Sequence, residues 1–234
     1  DYKANRDIDR MEDFFNQPMG ISLKDAYLGK NIILSPLAIP TKRPNDSMDY
    51  FNDVDGALTW WKKIAFQYMR PLQDIEAEAV SRYEAITQKD DKVLGISIRG
   101  TDYTSLMPPM HPIQPTVEQV CIDADKIILE FGYSKVFVNT EDQKIADIMK
   151  RHFGEKYICN ERTLLNYNQG FIVNCFNRQP ETERINGGRE YLITQLMLSK
   201  TDALLASRTS GTVGTAMIPN SWKIIKIYAL GRYL

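Results

Sequence analysis

Cysteine and histidine are scarce in this sequence. Its 234 residues include three cysteines (Cys121, Cys159 and Cys175) and two histidines, and no pair of cysteines has the CxxC spacing. A disulfide scaffold needs more cysteines than this, and a structural zinc site takes four Cys or His ligands. We therefore expect no disulfide framework and no metal site. Three free thiols are typical of a reducing compartment.

Long apolar runs and an excess of one charge are also missing. No stretch approaches the roughly 18 consecutive apolar residues of a membrane span, and no signal-peptide pattern is recognisable. The formal net charge is −1, which removes the electrostatic basis for general nucleic-acid binding. We expect a cytoplasmic protein with no membrane span and no nucleic-acid partner. Because the sequence starts at Asp1 rather than Met, it leaves open that further residues precede it.

The glycine-rich signatures of dinucleotide and phosphate binding are absent. Gly187-Gly188 is not part of a GxGxxG fingerprint and no GxxxxGK[ST] loop exists, so neither an NAD site nor a P-loop is indicated. Asp53-Val54-Asp55 is similar to the DxD metal motif of some sugar transferases. It lies in a turn-rich stretch with no strand before it, which favours a loop. The aromatic cluster of Trp60, Trp61, Phe66 and Tyr68 is more typical of a core than of a sugar platform.

The remaining composition is that of a globular chain. Hydrophobic residues make up 43% and charged residues 25%, enough apolar surface to bury a sizeable core. The first 55 or so residues carry turn and breaker signals, and helical periodicity follows from Leu58 to Ile86, where Pro71 suits the first turn of a second helix. We divide the chain into an irregular and helical N-terminal segment, residues 1–90, and a domain of residues 91–234.

Apolar runs alternate with helical patterns after residue 91. The runs are Val93–Arg99, Lys135–Thr140, Tyr157–Cys159, Ala203–Ala206 and Ile224–Tyr228. The helical patterns are Thr116–Phe131, Gln143–Phe153, Gly187–Ser199 and Thr212–Met217, and Tyr103–Pro115 is expected to be a long loop. This alternation predicts an α/β fold with a Rossmann-like parallel sheet and flanking helices. In such sheets the ligand lies beyond the carboxyl ends of the strands.

Arg99 follows the first apolar run and precedes Gly100-Thr101-Asp102. An arginine at a strand end can bind a phosphate through two parallel hydrogen bonds, and a glycine beside it lets the backbone approach closely. Asp102 would orient Arg99 or accept a hydrogen bond from a substrate. A strand-end salt bridge between Arg99 and Asp102 explains the same residues equally well.

Thr209-Ser210-Gly211-Thr212 lies between a short apolar run and a helical pattern. Hydroxyl groups and backbone N–H groups at a helix N-terminus favour an anion, although ordinary helix capping needs the same residues. Since parallel strands end at one edge of a sheet, this segment and Arg99 would together hold a diphosphate from two sides.

Glu141-Asp142 and His111 are the remaining polar candidates. Two acids after a strand can bind ribose hydroxyls, or they can complement the dipole of the next helix. His111 lies in a proline-rich loop, where a histidine is either functional or holds the loop in place.

These segments, in this order, resemble the fucosyltransferases that form α1,6 and α1,2 linkages and the related protein O-fucosyltransferases. Their strand ending in His-x-Arg-Arg-Gly/Thr-Asp corresponds to Ser97–Asp102, and their His-Pro nine residues after the Asp corresponds to His111-Pro112. An Ala-Thr-Asp-Asp strand end corresponds to Asn139–Asp142. A Leu-Ser-x-x-Asp segment followed by small-Ser-Ser corresponds to Leu198–Asp202 and Thr209–Gly211. The aromatic helix leading to Arg-Pro corresponds to Trp60–Pro71, so the resemblance spans residues 58–234.

The resemblance implies the C-terminal, nucleotide-sugar-binding half of a GT-B glycosyltransferase. It implies inverting transfer of fucose from GDP-fucose to a glycan acceptor, without a cofactor, and a role in polysaccharide biosynthesis. Arg99 would hold the β-phosphate, Ser210 and Thr209 would bind the phosphates, and Gly100, Thr101 and Gly211 would line that site. Asp102 would support the arginine loop, and Glu141, Asp142 and Thr194 would lie near the donor.

Several positions depart from the family pattern. Ser97 replaces a histidine that helps to recognise guanine, Gly100 replaces the second arginine, and Thr194 replaces an aspartate that reads the base. Met107 stands where the α1,6 enzymes have a glutamate proposed as the catalytic base. Asp102, His111 or an acid of the N-terminal part therefore remain the candidate bases. A transferase for another nucleotide-sugar and a non-catalytic nucleotide- or carbohydrate-binding domain remain the alternatives.

Overall fold

The computed structural model describes residues 10–30, 62–65, 67–165 and 178–234. The Asp53-Val54-Asp55 stretch, three residues of the aromatic cluster (Trp60, Trp61 and Phe66) and Cys175 lie outside these ranges. The interpretations given for them therefore stay predictions.

Two short strands pair antiparallel, and five others form a parallel sheet. The short pair is β1 (Phe15–Asn16) and β2 (Arg70–Pro71); the sheet contains β3 (Val93–Ser97), β4 (Lys135–Asn139), β5 (Tyr157–Ile158), β6 (Ala203–Ala206) and β7 (Ile224–Ile227). The sheet order is β5-β4-β3-β6-β7, with every neighbouring pair parallel. The strand order therefore reverses between β3 and β6, the place where Rossmann-like sheets bind ligands.

Four helices pack against this sheet: α2 (Gln73–Ile86), α4 (Val117–Phe131), α5 (Gln143–Phe153) and α6 (Glu181–Ser199). The other α-helices are α1 (Leu23–Leu28), α3 (Thr101–Ser105) and α7 (Ser210–Met217). Residues 62–65 and 67–68 are helical as well. The predicted α/β fold, a Rossmann-like parallel sheet with flanking helices, is confirmed.

Successive side chains of the strands enter two cores on opposite faces of the sheet. Leu94 and Ile96 pack with α4 and α5, whereas Val93 packs with α2 and α6. Because both faces are covered, the strands are continuously apolar rather than alternating, which is what made them recognisable in the sequence. Gly95 faces α6, and a Cβ there would come within 2.7 Å of Leu198 Cδ1. The glycine thus allows α6 to pack closely against the sheet.

The ends of α4 follow from local chemistry. Thr116 caps the helix by accepting a hydrogen bond from the Gln119 amide at 3.1 Å. Gly132 ends it in the left-handed conformation, with φ of 71°, which glycine adopts without a steric penalty. Both ends agree with the prediction from the sequence, as do the bounds of α5 and β6.

Two predictions about prolines and loops were wrong. Pro71 does not open a helix but pairs with Phe15 in the β1–β2 ladder, and α2 begins only at Gln73. Residues Tyr103–Pro115 are not a loop throughout, because α3 extends to Ser105. This helix has a single turn, too short to give the three-to-four-residue apolar period that marks a helix in a sequence.

Helix α6 begins at Glu181 rather than near Gly187. Two glycines in a row lower helix propensity by about 1 kcal/mol each, which made this segment unrecognisable. The structure gives a packing reason for one of them, because a Cβ on Gly188 would come within 2.9 Å of the Phe14 ring. Gly188 thus lets the N-terminal segment lie directly on α6.

Helix α2 precedes residue 91 and still belongs to the core of the sheet. Ile75 and Ala79 are completely buried beside Phe137 and Leu204. The division of the chain at residue 90 stays a prediction. Among the described helices, none has the length and apolar character needed to cross a membrane.

A buried carboxylate joins α4 to the end of the sheet. Asp123 Oδ2 accepts a hydrogen bond from the Tyr228 hydroxyl at 2.7 Å and pairs with Lys226 Nζ at 2.9 Å. Burial by itself raises the pKa of Asp123, but the hydrogen bonds from Lys226 and Tyr228 outweigh it and lower the pKa to about 2. The carboxylate form therefore stabilises the fold.

We predict that Asp123→Asn lowers the free energy of unfolding at neutral pH by about 1–3 kcal/mol, because charged hydrogen bonds are lost. The folded-state pKa lies below the unfolded value of about 3.9, so the wild type loses this advantage as the pH falls from about 4 towards 2. Urea unfolding across this pH range measures both effects. Glu130→Gln, at an exposed position of the same helix, is the control, and an equal loss in both variants would contradict the prediction.

Candidate functional site

A cavity of about 240 Å³ opens at the carboxyl ends of β3 and β6, where the strand order reverses. Among the described residues it is lined by three arginines, Arg99, Arg162 and Arg184, and by one acid, Glu141. Ser207, Thr209 and Gly211 line the side formed by the β6–α7 connection. The excess of positive over negative side chains makes this cavity suited to an anion.

Arg99 is held from several directions. Its backbone amide donates to Ser207 Oγ at 3.1 Å, and its Nη2 donates to Asp102 Oδ1 at 3.2 Å. Nε lies 3.6 Å from Glu141 Oε1, is buried and has no hydrogen-bond partner among the described residues. Burial lowers the pKa of Arg99, but the charges of Glu141 and Asp102 outweigh it and the net shift is upward. The guanidinium is a fixed cation.

The backbone beside Arg99 is bound by two carboxylates. The Gly100 amide donates to Glu141 Oε1 at 2.9 Å, and the Thr101 amide donates to Asp142 Oδ2 at 3.1 Å. A Cβ on Gly100 would come within 2.6 Å of Asp142 Oδ2, so only glycine lets the Asp142 carboxylate lie this close to the backbone. Thr101 has φ of 50°, a conformation rarely adopted by β-branched residues. Gly100 and Thr101 were predicted to line the phosphate site, and the structure shows their amides bonded to acidic side chains of the protein.

Neither Asp102 nor His111 is part of the lining of the small cavity. Asp102 is 5% exposed and its carboxylate pairs with Arg99. His111 is exposed, its Nδ1 lies 3.1 Å from the Pro109 carbonyl, and its ring contacts Tyr103 edge-on. The Arg99 guanidinium in turn lies 4.8 Å from the centre of the Tyr103 ring. The structure therefore connects His111 to Arg99 through Tyr103.

The β6–α7 connection supplies the other wall. Thr209 caps α7 by accepting a hydrogen bond from the Thr212 amide at 3.1 Å. Thr209 and Gly211 line the small cavity, whereas Ser210 lines a larger neighbouring cavity. A Cβ on Gly211 would overlap the Tyr191 hydroxyl, so glycine lets that hydroxyl reach the start of α7.

Asp142 and Thr194 are not part of the lining of the small cavity. The Asp142 carboxylate caps α5, accepting from the Lys144 amide at 2.8 Å, in addition to its contact with Thr101. Thr194 is 1% exposed; its hydroxyl donates to the Glu190 carbonyl and accepts from Asn160 Nδ2 at 2.9 Å. Their proposed roles near a donor stay predictions.

Arg162 and Arg184 are site residues that the sequence did not reveal. Arg162 Nη2 donates to the Thr140 carbonyl at 2.9 Å and to Asn139 Oδ1 at 3.3 Å. Burial lowers the pKa of Arg162, although Glu141 and Tyr191 oppose the shift, and an arginine remains protonated regardless. Its position shortly after β5, at the same sheet edge, was the signal that would have found it. Arg184 lies on the part of α6 that was not recognised as helical.

Metal ligands are not clustered in the described ranges. No group of three or more His, Cys, Asp or Glu side chains lies close enough together to hold an ion there. The expectation that no metal takes part stays a prediction.

Solved structures of fucosyltransferases are similar to this chain over part of their length. The fucosyltransferase NodZ from Bradyrhizobium is 18% identical, with 73% of this chain and 49% of that chain covered and a TM-score of 0.49. POFUT1 in complex with GDP is 10% identical, with 75% and 52% covered and a TM-score of 0.48. This chain thus spans about half the length of these structures.

No protein-family model and no curated protein matches the sequence. The resemblance predicted from the motifs is found again among solved structures, as a partial similarity of fold.

We predict that Glu141→Gln lowers the free energy of unfolding by about 1 kcal/mol, because hydrogen bonds to a charged acceptor become neutral ones. The same change removes the carboxylate that lies 3.6 Å from Arg99 Nε. Urea unfolding measures the difference. Glu161→Gln, at an exposed position, is the control and should stay within about 0.5 kcal/mol of the wild type. A Glu141→Gln variant as stable as the control would contradict this role.

Proposed function

We propose that the chain binds a nucleotide-sugar, GDP-fucose, and takes part in transferring fucose from it to a glycan acceptor. The observation that carries the proposal is the convergence of Arg99, Arg162 and Arg184 on one cavity at the reversal of strand order. Because Rossmann-like sheets bind ligands there, and arginine binds phosphate in a planar, two-bond geometry, a diphosphate fits this position best.

Charge and size both support a diphosphate. Three arginines face one acid, so a doubly charged group would balance the cavity. Burial disfavours the charged form of Arg162, and an anionic ligand relieves part of this cost. A volume of about 240 Å³ is below the ~300–1,000 Å³ of pockets that enclose a whole drug-sized molecule. The cavity therefore suits the charged part of a nucleotide rather than all of it.

The proposed reaction breaks the bond between the sugar C1 and the β-phosphate oxygen. The electron pair leaves with the diphosphate, and the acceptor oxygen forms the new bond at C1 with inversion while losing its proton to a base. Arg99 would neutralise charge that develops on the departing diphosphate, as preorganised cations do in other active sites. The proposal includes no cofactor, because the arginines supply the positive charge.

The base that takes the proton of the acceptor is proposed to be Asp102, His111 or an acid of the N-terminal part. These are the candidates that the sequence indicates. Asp102 is close to the diphosphate position but is paired with Arg99. His111 is exposed, and among the described residues its ring is connected to Arg99 through Tyr103.

A second candidate function is binding without transfer. The acid that lines the small cavity, Glu141, is bonded to the Gly100 amide and the Thr101 hydroxyl, so it is already occupied. A binding domain requires the arginines but no base. Release of fucose from GDP-fucose into water distinguishes the two, because only a transferase catalyses it.

Another nucleotide-sugar is the alternative donor. Ser97 and Thr194 lack the imidazole and the carboxylate that recognise guanine in the family that this chain resembles. Their hydroxyls are bonded within the protein: Ser97 accepts from Asn139 Nδ2 at 3.3 Å, and Thr194 accepts from Asn160 Nδ2. A cytoplasmic location and a role in polysaccharide biosynthesis are part of the same proposal.

We predict that GDP binds to the wild type and that Arg99→Ala weakens this binding about 10- to 100-fold, the value of a charged hydrogen bond or two. Arg162→Lys keeps the charge but loses the planar geometry, and it should weaken binding as well. Isothermal titration calorimetry measures all three, with the exposed Arg151→Lys as the control.

Two results would contradict the proposal. Binding of UDP without binding of GDP would remove the fucose donor. GDP affinity equal in the wild type and in Arg99→Ala would remove the diphosphate site at the end of β3.

A further inference from the structure

A second cavity of about 910 Å³ lies beside the anion site. Most of the described residues that line it are apolar, including Phe14, Met69, Ile185, Leu192, Met217 and Ile218. Its volume is near the upper end of the ~300–1,000 Å³ range of pockets that enclose small molecules. The cavity is therefore large enough for an apolar ligand group.

The walls of this large cavity come from separate elements. The β1–β2 pair supplies Phe15, Arg70 and Pro71, and α6 and α7 supply the opposite sides. The Leu72 amide donates to the Phe14 carbonyl at 2.9 Å, which fixes the N-terminal segment beside the start of α2. Elements held together in this way form a cavity rather than an exposed apolar face.

The two cavities share part of their lining. Arg184, Gly188, Tyr191, Gln195 and Gly211 line both. A ligand group in the large cavity would therefore lie next to a diphosphate bound by Arg99. This continuity connects the large cavity to the reaction rather than to a separate function.

The apolar side of the large cavity does not suit a nucleotide base. A nucleotide base carries several hydrogen-bonding atoms, and burying them among Leu192, Met217 and Ile218 would leave polar atoms without partners, which is unfavourable. An alkyl or aryl group has no such cost and gains free energy from burial. The apolar group therefore belongs to the second substrate.

We propose that the large cavity binds an apolar group attached to the acceptor, so that the acceptor is an amphipathic glycoside with an alkyl or aryl end. This inference rests on the proposed function, because only a transferase has an acceptor. The position of Gly214 supports it: this α7 residue lines the cavity, and a Cβ there would have no atom within 4 Å. Glycine at this point leaves the cavity open.

The first part of the test compares octyl β-glucoside with methyl β-glucoside, without nucleotide and below the micelle concentration. Octyl glucoside should bind to the wild type, and each methylene removed should weaken binding about fourfold. Methyl glucoside should not bind measurably. Equal binding of the two glucosides would overturn the proposal.

The second part uses Gly214. Gly214→Leu fills the cavity and should weaken octyl glucoside binding at least about tenfold, the loss of contact with two methylene groups. Gly214→Ala adds one methyl group and is the matched control, with binding close to the wild type. Both variants should have the same unfolding temperature as the wild type, because the added side chain enters open space. Thermal unfolding measures this. Unchanged binding by Gly214→Leu, or its unfolding, would overturn the proposal.

The third part separates this inference from the proposed function. Arg99→Ala should lose GDP and keep octyl glucoside, because Arg99 lines the small cavity and not the large one. If octyl glucoside binds with the expected chain-length dependence while GDP fails to bind, the assignment of the cavity to an acceptor is overturned. If GDP binds and octyl glucoside does not, the cavity proposal fails and the proposed function stands.

Discussion

The Glu141 carboxylate links the two strand ends from which the candidate site is built. One oxygen accepts from the Gly100 amide and the Thr101 hydroxyl and lies 3.6 Å from Arg99 Nε. It thus fixes the chain after β3 to the chain after β4, with Asp142 holding the next amide. Because these carboxylates occupy the backbone donors, the side chains of the arginines are left as the groups that can meet an anion.

Burial gives this arrangement its electrostatic character. Arg99 and Arg162 both lose hydration in the cavity. The charges of Glu141 and Asp102 more than offset this loss for Arg99. For Arg162, Glu141 offsets it only in part. A cavity that keeps more positive than negative charge favours an anionic ligand, since the charges are already ordered before it arrives. The apolar cavity beside it has the opposite preference. These opposite preferences are the basis of the two proposals, one for a strongly charged ligand and one for an amphipathic ligand.

The sheet and the main helices could be predicted because burial on both faces makes each strand an apolar run. The same reasoning placed Arg99, Thr209 and Gly211 at one edge, and the structure brings all three to one cavity. Arg162 was missed because it follows a strand of only two residues. Arg184 was missed because Gly188, needed for contact with Phe14, weakens the helical pattern. No local signal distinguishes His111, which depends on the tertiary contact with Tyr103.

A crystal structure of the chain with GDP tests the central claim most directly. The account predicts that the diphosphate lies in the small cavity, with its oxygens within about 3 Å of the guanidinium nitrogens of Arg99 and Arg162. It also predicts that the Gly100 and Thr101 amides remain bonded to Glu141 and Asp142. A diphosphate bound by those two amides, with the carboxylates displaced, or a nucleotide in the apolar cavity, would contradict the account.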